Sequence, residues 1–192
     1  TDGTLKDHIF AQRYTANGAV LGTPLTVRVG NDTTIGGLTI SASDAGFVIA
    51  WVETGRPFAR RYTVSGGIAT PGPVLDLAAG LGNVNVSAPA PTIAANGRFA
   101  LAWIDFFTGT TQLFARRFNA DGSAIDALGE VVATGAISTR GAGIDNNGHL
   151  SIVWGGGASV FLRRFAAGSA LTSAPAILTV ATTPNQALAT FS

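Results

Sequence analysis

The sequence predicts an all-β fold built from one repeated four-stranded unit, and three observations carry that expectation. A Phe-Ala-Arg-Arg-Tyr/Phe segment occurs at 58–62 and 114–118, with looser copies at 10–14 and 161–165. Each copy but the first follows an apolar run that ends in tryptophan, at Trp51, Trp103 and Trp154. The chain also carries 25 glycines among 192 residues, several of them in Asn-Gly or Asp-Gly pairs between the apolar runs. Self-similarity at a period near fifty residues marks a repeated supersecondary unit.

The elements follow in order. In the unit 30–77, strands are expected at 34–42, 47–53, 57–63 and 73–77, with a turn at 43–46. In the unit 78–134 they are expected at 86–95, 98–106, 112–119 and 130–134. Asn96-Gly97 and Asp121-Gly122 supply the positive φ angles that tight hairpin turns require. In the unit 135–181, Asn147-Gly148 and Gly168-Ser169 occupy the corresponding turns. Four antiparallel strands per unit make a propeller blade. The expected architecture is a four-bladed β-propeller of about 48 residues per blade, spanning 1–192 as one domain.

Hairpin pairing predicts the faces of each blade. If Trp51 lies opposite Phe58, then Ile49 faces Arg60 and Phe47 faces Tyr62, and strand alternation puts all six on one side. The other side carries Val48, Ala50, Ala59 and Arg61. One face is bulky and aromatic, the other small, and stacked blades need that complementarity. The same spacing predicts that a strand at 187–191 pairs with 10–14, Phe191 opposite Phe10. Residues 187–192 and 1–29 would then share a blade and close the ring, which removes exposed edges. Too few residues separate 180 from 187 for a full first strand, so the closing blade is expected to be truncated. The alternatives are a larger protein or strand exchange with a neighbour, which gives a homo-oligomer.

Composition narrows the function classes. The chain is 46% apolar and 12% charged, a folded protein in character. Cysteine is absent, so neither disulfides nor a thiolate metal site can form. A net charge of +1 gives no reason to expect nucleic acid as a partner. No apolar run approaches a membrane span, no signal peptide is visible, and the chain opens at Thr1 without methionine. The Gly/Thr/Ala-rich, cysteine-free composition favours an extracellular or cell-surface location.

Seven of the eleven arginines lie in the repeated motifs. A residue that recurs in every blade is what blade geometry demands, so these arginines and the three tryptophans are expected to pack between blades. Individuality should lie in the loops between second and third strands. These nominate Asp7, His8, Glu53, Arg56, Asp105 and Phe107 as ligand-binding residues. Catalysis finds little support: His8 and His149 are placed at opposite ends of the ring, and Glu53 and Asp105 are the one conceivable carboxylate pair. Asp145-Asn146-Asn147-Gly148 hints at a calcium loop, but the later acidic ligand is missing and a β-turn explains it. No metal and no cofactor is expected.

Gly-Phe-Val-Ile-Ala-Trp at 46–51, followed by Pro-Phe-Ala-Arg-Arg-Tyr at 57–62, resembles repeats of large secreted bacterial proteins. Phe-Ala-Gln-Arg-Tyr at 10–14 with Asn17-Gly18 matches that form closely. The resemblance covers nearly the whole chain and implies a fold, with no activity attached to it. The arrangement is also similar, more weakly, to small propeller lectins, whose pockets combine Arg, Glu and Trp; here Arg61, Glu53 and Trp51 alone offer all three. The expected function is a non-enzymatic extracellular module that binds a glycan or a protein through its loop face. The alternatives are an assembly module whose incomplete blade joins subunits and, further off, a glycoside hydrolase.

Overall fold

A computed structural model gives the fold and describes residues 7–30, 34–173 and 175–181. β1 (His8–Tyr14) and β2 (Val20–Val29) form a two-stranded hairpin. The next sheet is an antiparallel meander of β3 (Ile35–Ser43), β4 (Gly46–Glu53), β5 (Arg56–Ser65) and β6 (Ile68–Asp76). A third sheet follows with β7 (Ala90–Ile93), β8 (Phe99–Asp105), β9 (Gln112–Phe118) and β10 (Glu130–Thr134). The last contains β11 (Thr139–Ile144), β12 (Leu150–Gly156), β13 (Ser159–Phe165) and β14 (Leu178–Ala181). The strand expected at 187–191 lies outside the described residues.

Register follows the expected pairing. Trp51 lies opposite Phe58, Trp103 opposite Phe114, and Trp154 opposite Phe161. Each pair of rings is stacked, with centroids 6.1, 5.6 and 5.7 Å apart. Phe47 stacks on Tyr62 at 4.7 Å and Phe99 on Phe118 at 4.8 Å. Two strands differ from expectation. The segment expected at 86–95 pairs as a strand over Ala90–Ile93, preceded by Pro89, which lacks the N–H a ladder needs, and by an isolated bridge from Val86 to Asp105. Conversely, β6 begins at Ile68, five residues before the expected start, because Gly66 and Gly67 both adopt positive φ and close a hairpin there.

The sheets stack by one rule. The small face of the first hairpin, Ile9 and Ala11, packs on Phe47, Ile49, Trp51 and Tyr62. Val48, Ala50 and Ala59 of the second sheet pack on Phe99, Leu101, Trp103 and Phe114. Ala100, Ala102 and Ala115 of the third pack on Leu150, Ile152, Trp154 and Phe165. First strands run side by side and are tied across sheets: Ser43 Oγ donates to the Ala94 carbonyl at 3.1 Å, and the Ile144 amide to Thr92 Oγ1 at 3.2 Å. This is the layering of a propeller-type fold, with the first strands next to one another. Because alanine at 100 is what lets the next aromatic face approach, Ala100→Leu should cost about 1–3 kcal/mol through overpacking. Chemical denaturation, with the midpoint compared at constant slope, checks this.

Candidate functional site

The repeated arginines divide into two structural roles. Arg60 donates to the carbonyl of Val27 on the preceding hairpin at 3.0 Å and to Gly72 in its own sheet at 2.8 Å. Arg116 reaches back to Asp76 and Leu77 at 3.2 and 3.3 Å, and Arg163 reaches back to Val132. This position thus ties each sheet to the fourth strand of the one before. The first copy has Gln12 there, whose amide turns onto Arg13 and Leu21 of its own hairpin. The neighbouring arginine faces the other way. Arg13 donates to the Gly67 carbonyl at 2.7 Å and Arg117 to Ser169 at 2.8 Å, each in the turn between third and fourth strands of the following sheet. Arg117 is also held by Asp126, with Nη2 2.7 Å from Oδ1. Arg61 lines a cavity with Ala120, Asp121 and Gly122, the equivalent turn. Burial lowers the pKa of Arg61 and of Arg116, while nearby carboxylates oppose that shift. Trp51 and Trp103 are fully buried, so they are core residues and not sugar platforms.

The loop residues nominated from sequence cluster at one end of the stack, bridged by the 79–89 connection. Glu53, at the end of β4, is buried and accepts both Nε and Nη2 of Arg28, at 2.8 and 2.7 Å. It also accepts from Trp51 Nε1 at 3.3 Å. The pair holds the first hairpin to the second sheet and raises the pKa of Arg28, chiefly through the hydrogen bond to Glu53. Arg56 is held by Asp76 Oδ2 at 3.1 Å and by the carbonyls of Ala78 and Gly82 at 3.0 and 3.2 Å. Asp105 is buried at the end of β8, where Oδ1 accepts the amides of Asn85 and Phe107, each at 2.9 Å. Asp7 accepts the Ile35 amide at 3.0 Å at the same end, and the exposed ring of His8 lies 6.1 Å from Phe10. So the fold brings these residues to a common end, but it engages Asp7, Glu53, Arg56 and Asp105 in holding connections together. His8 is not engaged in this way, and neither is Phe107. Phe107 is 52% exposed beside Phe106 at 45%, on a loop held by the Phe106 amide to the Asn85 carbonyl at 2.9 Å. Arg28, which completes the Glu53 pair, escaped sequence reasoning because it lies outside every repeat motif.

The opposite end carries a second group. A cavity of about 440 Å³ opens between the innermost strands and the small face of the last sheet, lined in part by Thr92, Asp145, His149, Ser151 and Arg164. Asp145 forms the expected turn, accepting the amides of Asn147 and His149 at 2.9 Å each. Its other oxygen lies 2.7 Å from His149 Nδ1 and 3.6 Å from Arg164. Desolvation opposes the Asp145 charge, but the hydrogen bonds from His149 and Asn147 outweigh it and hold the pKa below the usual carboxylate value. Among the described residues no group of three His, Asp or Glu side chains is placed to hold a metal ion. Among the described residues no helix is long and apolar enough to cross a membrane.

No family model and no curated protein matches this chain. Among solved structures, the fold is similar to Penicillium chrysogenum alpha-L-arabinanase, determined with arabinobiose, at a TM-score of 0.51 and 14% identity over 84% of this chain. TolB from Acinetobacter baumannii matches over 83% of the chain at a TM-score of 0.45 and 14% identity. The chain spans 53% of the arabinanase and 35% of TolB. The arabinanase likeness establishes a propeller-type all-β fold, and at this identity the fold is all it establishes.

Two predictions follow from the geometry. Glu53→Gln should lower stability by about 1–3 kcal/mol, because it removes charge from a paired, largely buried carboxylate; urea titration reads it directly. Asp145 has a folded pKa below its unfolded value of about 3.9, so its contribution is present above that value and lost as pH falls through the lower, folded one. Asp145→Asn should therefore lower the neutral plateau of a melting-temperature profile and flatten its acid limb, the two proteins converging at low pH.

Proposed function

We propose that this chain is a non-enzymatic, extracellular or cell-surface binding module that recognises a glycan through the end of the stack carrying the 106–111 loop. The observation that carries the reading is the adjacent, exposed pair Phe106 and Phe107, whose backbone is held by Asp105 and Asn85. Two aromatic side chains offered to solvent from a fixed backbone give apolar area at little ordering cost, which suits the flat hydrocarbon faces of sugar rings. The charged groups beside them support binding over hydrolysis. A paired-carboxylate mechanism needs one acid and one base free to meet substrate. Here Glu53 is committed to Arg28 and Trp51, and Asp105 to two backbone amides. In the same reading the stack is part of a propeller ring, which closes when a small face of the β11–β14 type covers the aromatic face of β1.

A glycan array followed by calorimetry on the best hit tests the assignment. Phe106→Ala/Phe107→Ala should weaken binding at least about tenfold, the loss of roughly 1.4 kcal/mol or more, with the melting temperature unchanged. No glycan bound at high protein concentration would sink the reading, as would binding that the double substitution leaves intact; capture of a protein ligand by the same face would replace the ligand class.

A further inference from the structure

Each internal interface of the stack joins the same two half-surfaces, and among the described residues each end of the stack presents one half that no other sheet covers. The bulky half is the aromatic side of a second–third strand hairpin. At that motif Tyr62 and Phe118 are buried beneath the preceding sheet. On the first hairpin Tyr14 holds that position and is 60% exposed, and Phe10, which aligns with Phe114 (7% exposed), is 62% exposed. The small half is the alanine side with its outward arginine. Arg61 and Arg117 are buried by the sheet that follows, whereas the Arg164 side chain on the last sheet is 60% exposed. Ser151 and Leu162 beside it line the open cavity instead of meeting an aromatic face.

We propose that two copies of this chain associate head to tail, the small face of β11–β14 in one covering the aromatic face of β1–β2 in the other. The contact continues an interface that the molecule already uses three times, with aromatic residues on one side and small ones on the other. Its polar part is set by the same repeat. Arg13 and Arg117 donate to the third-to-fourth-strand turn of the next sheet, at Gly67 and Ser169. In the intercopy contact Arg164 takes the corresponding turn of the partner, Thr15 to Gly18. The second clamp is missing, because Gln12 stands where Arg60, Arg116 and Arg163 reach back to the preceding sheet. One clamp in place of two makes this join weaker than the internal ones, as befits a contact between separate chains. Using both ends of both copies closes the pair and leaves neither face exposed. The inference rests on the stacking rule and is independent of any ligand at Phe106 and Phe107.

Size-exclusion chromatography with light scattering on the whole chain, over a wide concentration range, tests it. The unsubstituted protein should run at twice the chain mass. Phe10→Asp/Tyr14→Asp should run at the single-chain mass, and Arg164→Glu should weaken dimerisation at least about tenfold. All three positions are exposed in the single chain, so unchanged circular dichroism separates lost association from lost folding. Mixing the two variants should restore a two-chain species, because one intact face remains on each. A single-chain mass at every concentration would overturn the proposal, as would a dimer that neither variant disturbs, or open-ended series of chains.

Discussion

Side-chain alternation across the β4–β5, β8–β9 and β12–β13 hairpins is the constraint on which the rest of the structure depends. It separates the motif into Phe and aromatic residues on one side and Ala on the other. Sheets then stack in one direction, because a small face accepts an aromatic face and two aromatic faces cannot approach to the same distance. Phe99, Leu101 and Trp103 fit against Val48, Ala50 and Ala59 because those positions hold little volume. The order of the stack and the nature of its two ends both follow.

Burial of repeated charge is the second consequence. Arginine is rarely buried unless its donors are met, since an unpaired buried cation is costly. The stack meets many of them with backbone carbonyls at sheet edges, Val27 for Arg60, Leu77 for Arg116 and Val132 for Arg163, while Nε of Arg61 and of Arg163 is buried without a partner. A guanidinium presents several donors in a rigid fork, so one side chain can bond its own fourth strand and the preceding one together. Arg60 does this with Gly72 at 2.8 Å and Val27 at 3.0 Å. Lysine, a point charge with three donors on a flexible stem, would not bridge two strands in this way. That explains the near absence of lysine from a chain with eleven arginines.

Much of this was legible in the sequence, because the repeat exposes the hairpin register and the register fixes the faces. Trp51 opposite Phe58 required only the spacing of two aromatic residues around a turn. Polar ties between distant segments were not legible. Nothing in the sequence marks Arg28 as the partner of Glu53, 25 residues away, or Asp126 as the partner of Arg117 inside its own sheet. Loop charges therefore read as ligand-facing when they are joints between connections. Asp105 illustrates the point: an acidic residue at a loop base can serve two backbone amides as readily as it can serve a substrate.

Where a propeller-type stack keeps room for individuality then depends on loop length, not on which residues are polar. Between second and third strands, the second sheet spends two residues, Thr54 and Gly55, and both have positive φ in a tight turn. The last sheet also spends two, Gly157 and Ala158. Neither can carry a side chain far from the ladder. The third sheet instead spends the six residues 106–111, anchored at their base by a buried carboxylate. Extra length alone would give a mobile loop, and an anchor alone would give a tight turn. Together they let two phenylalanines stand in solvent on a fixed backbone, an arrangement that the stacking interactions do not require. A feature the fold can do without is where selection for a ligand has freedom to act.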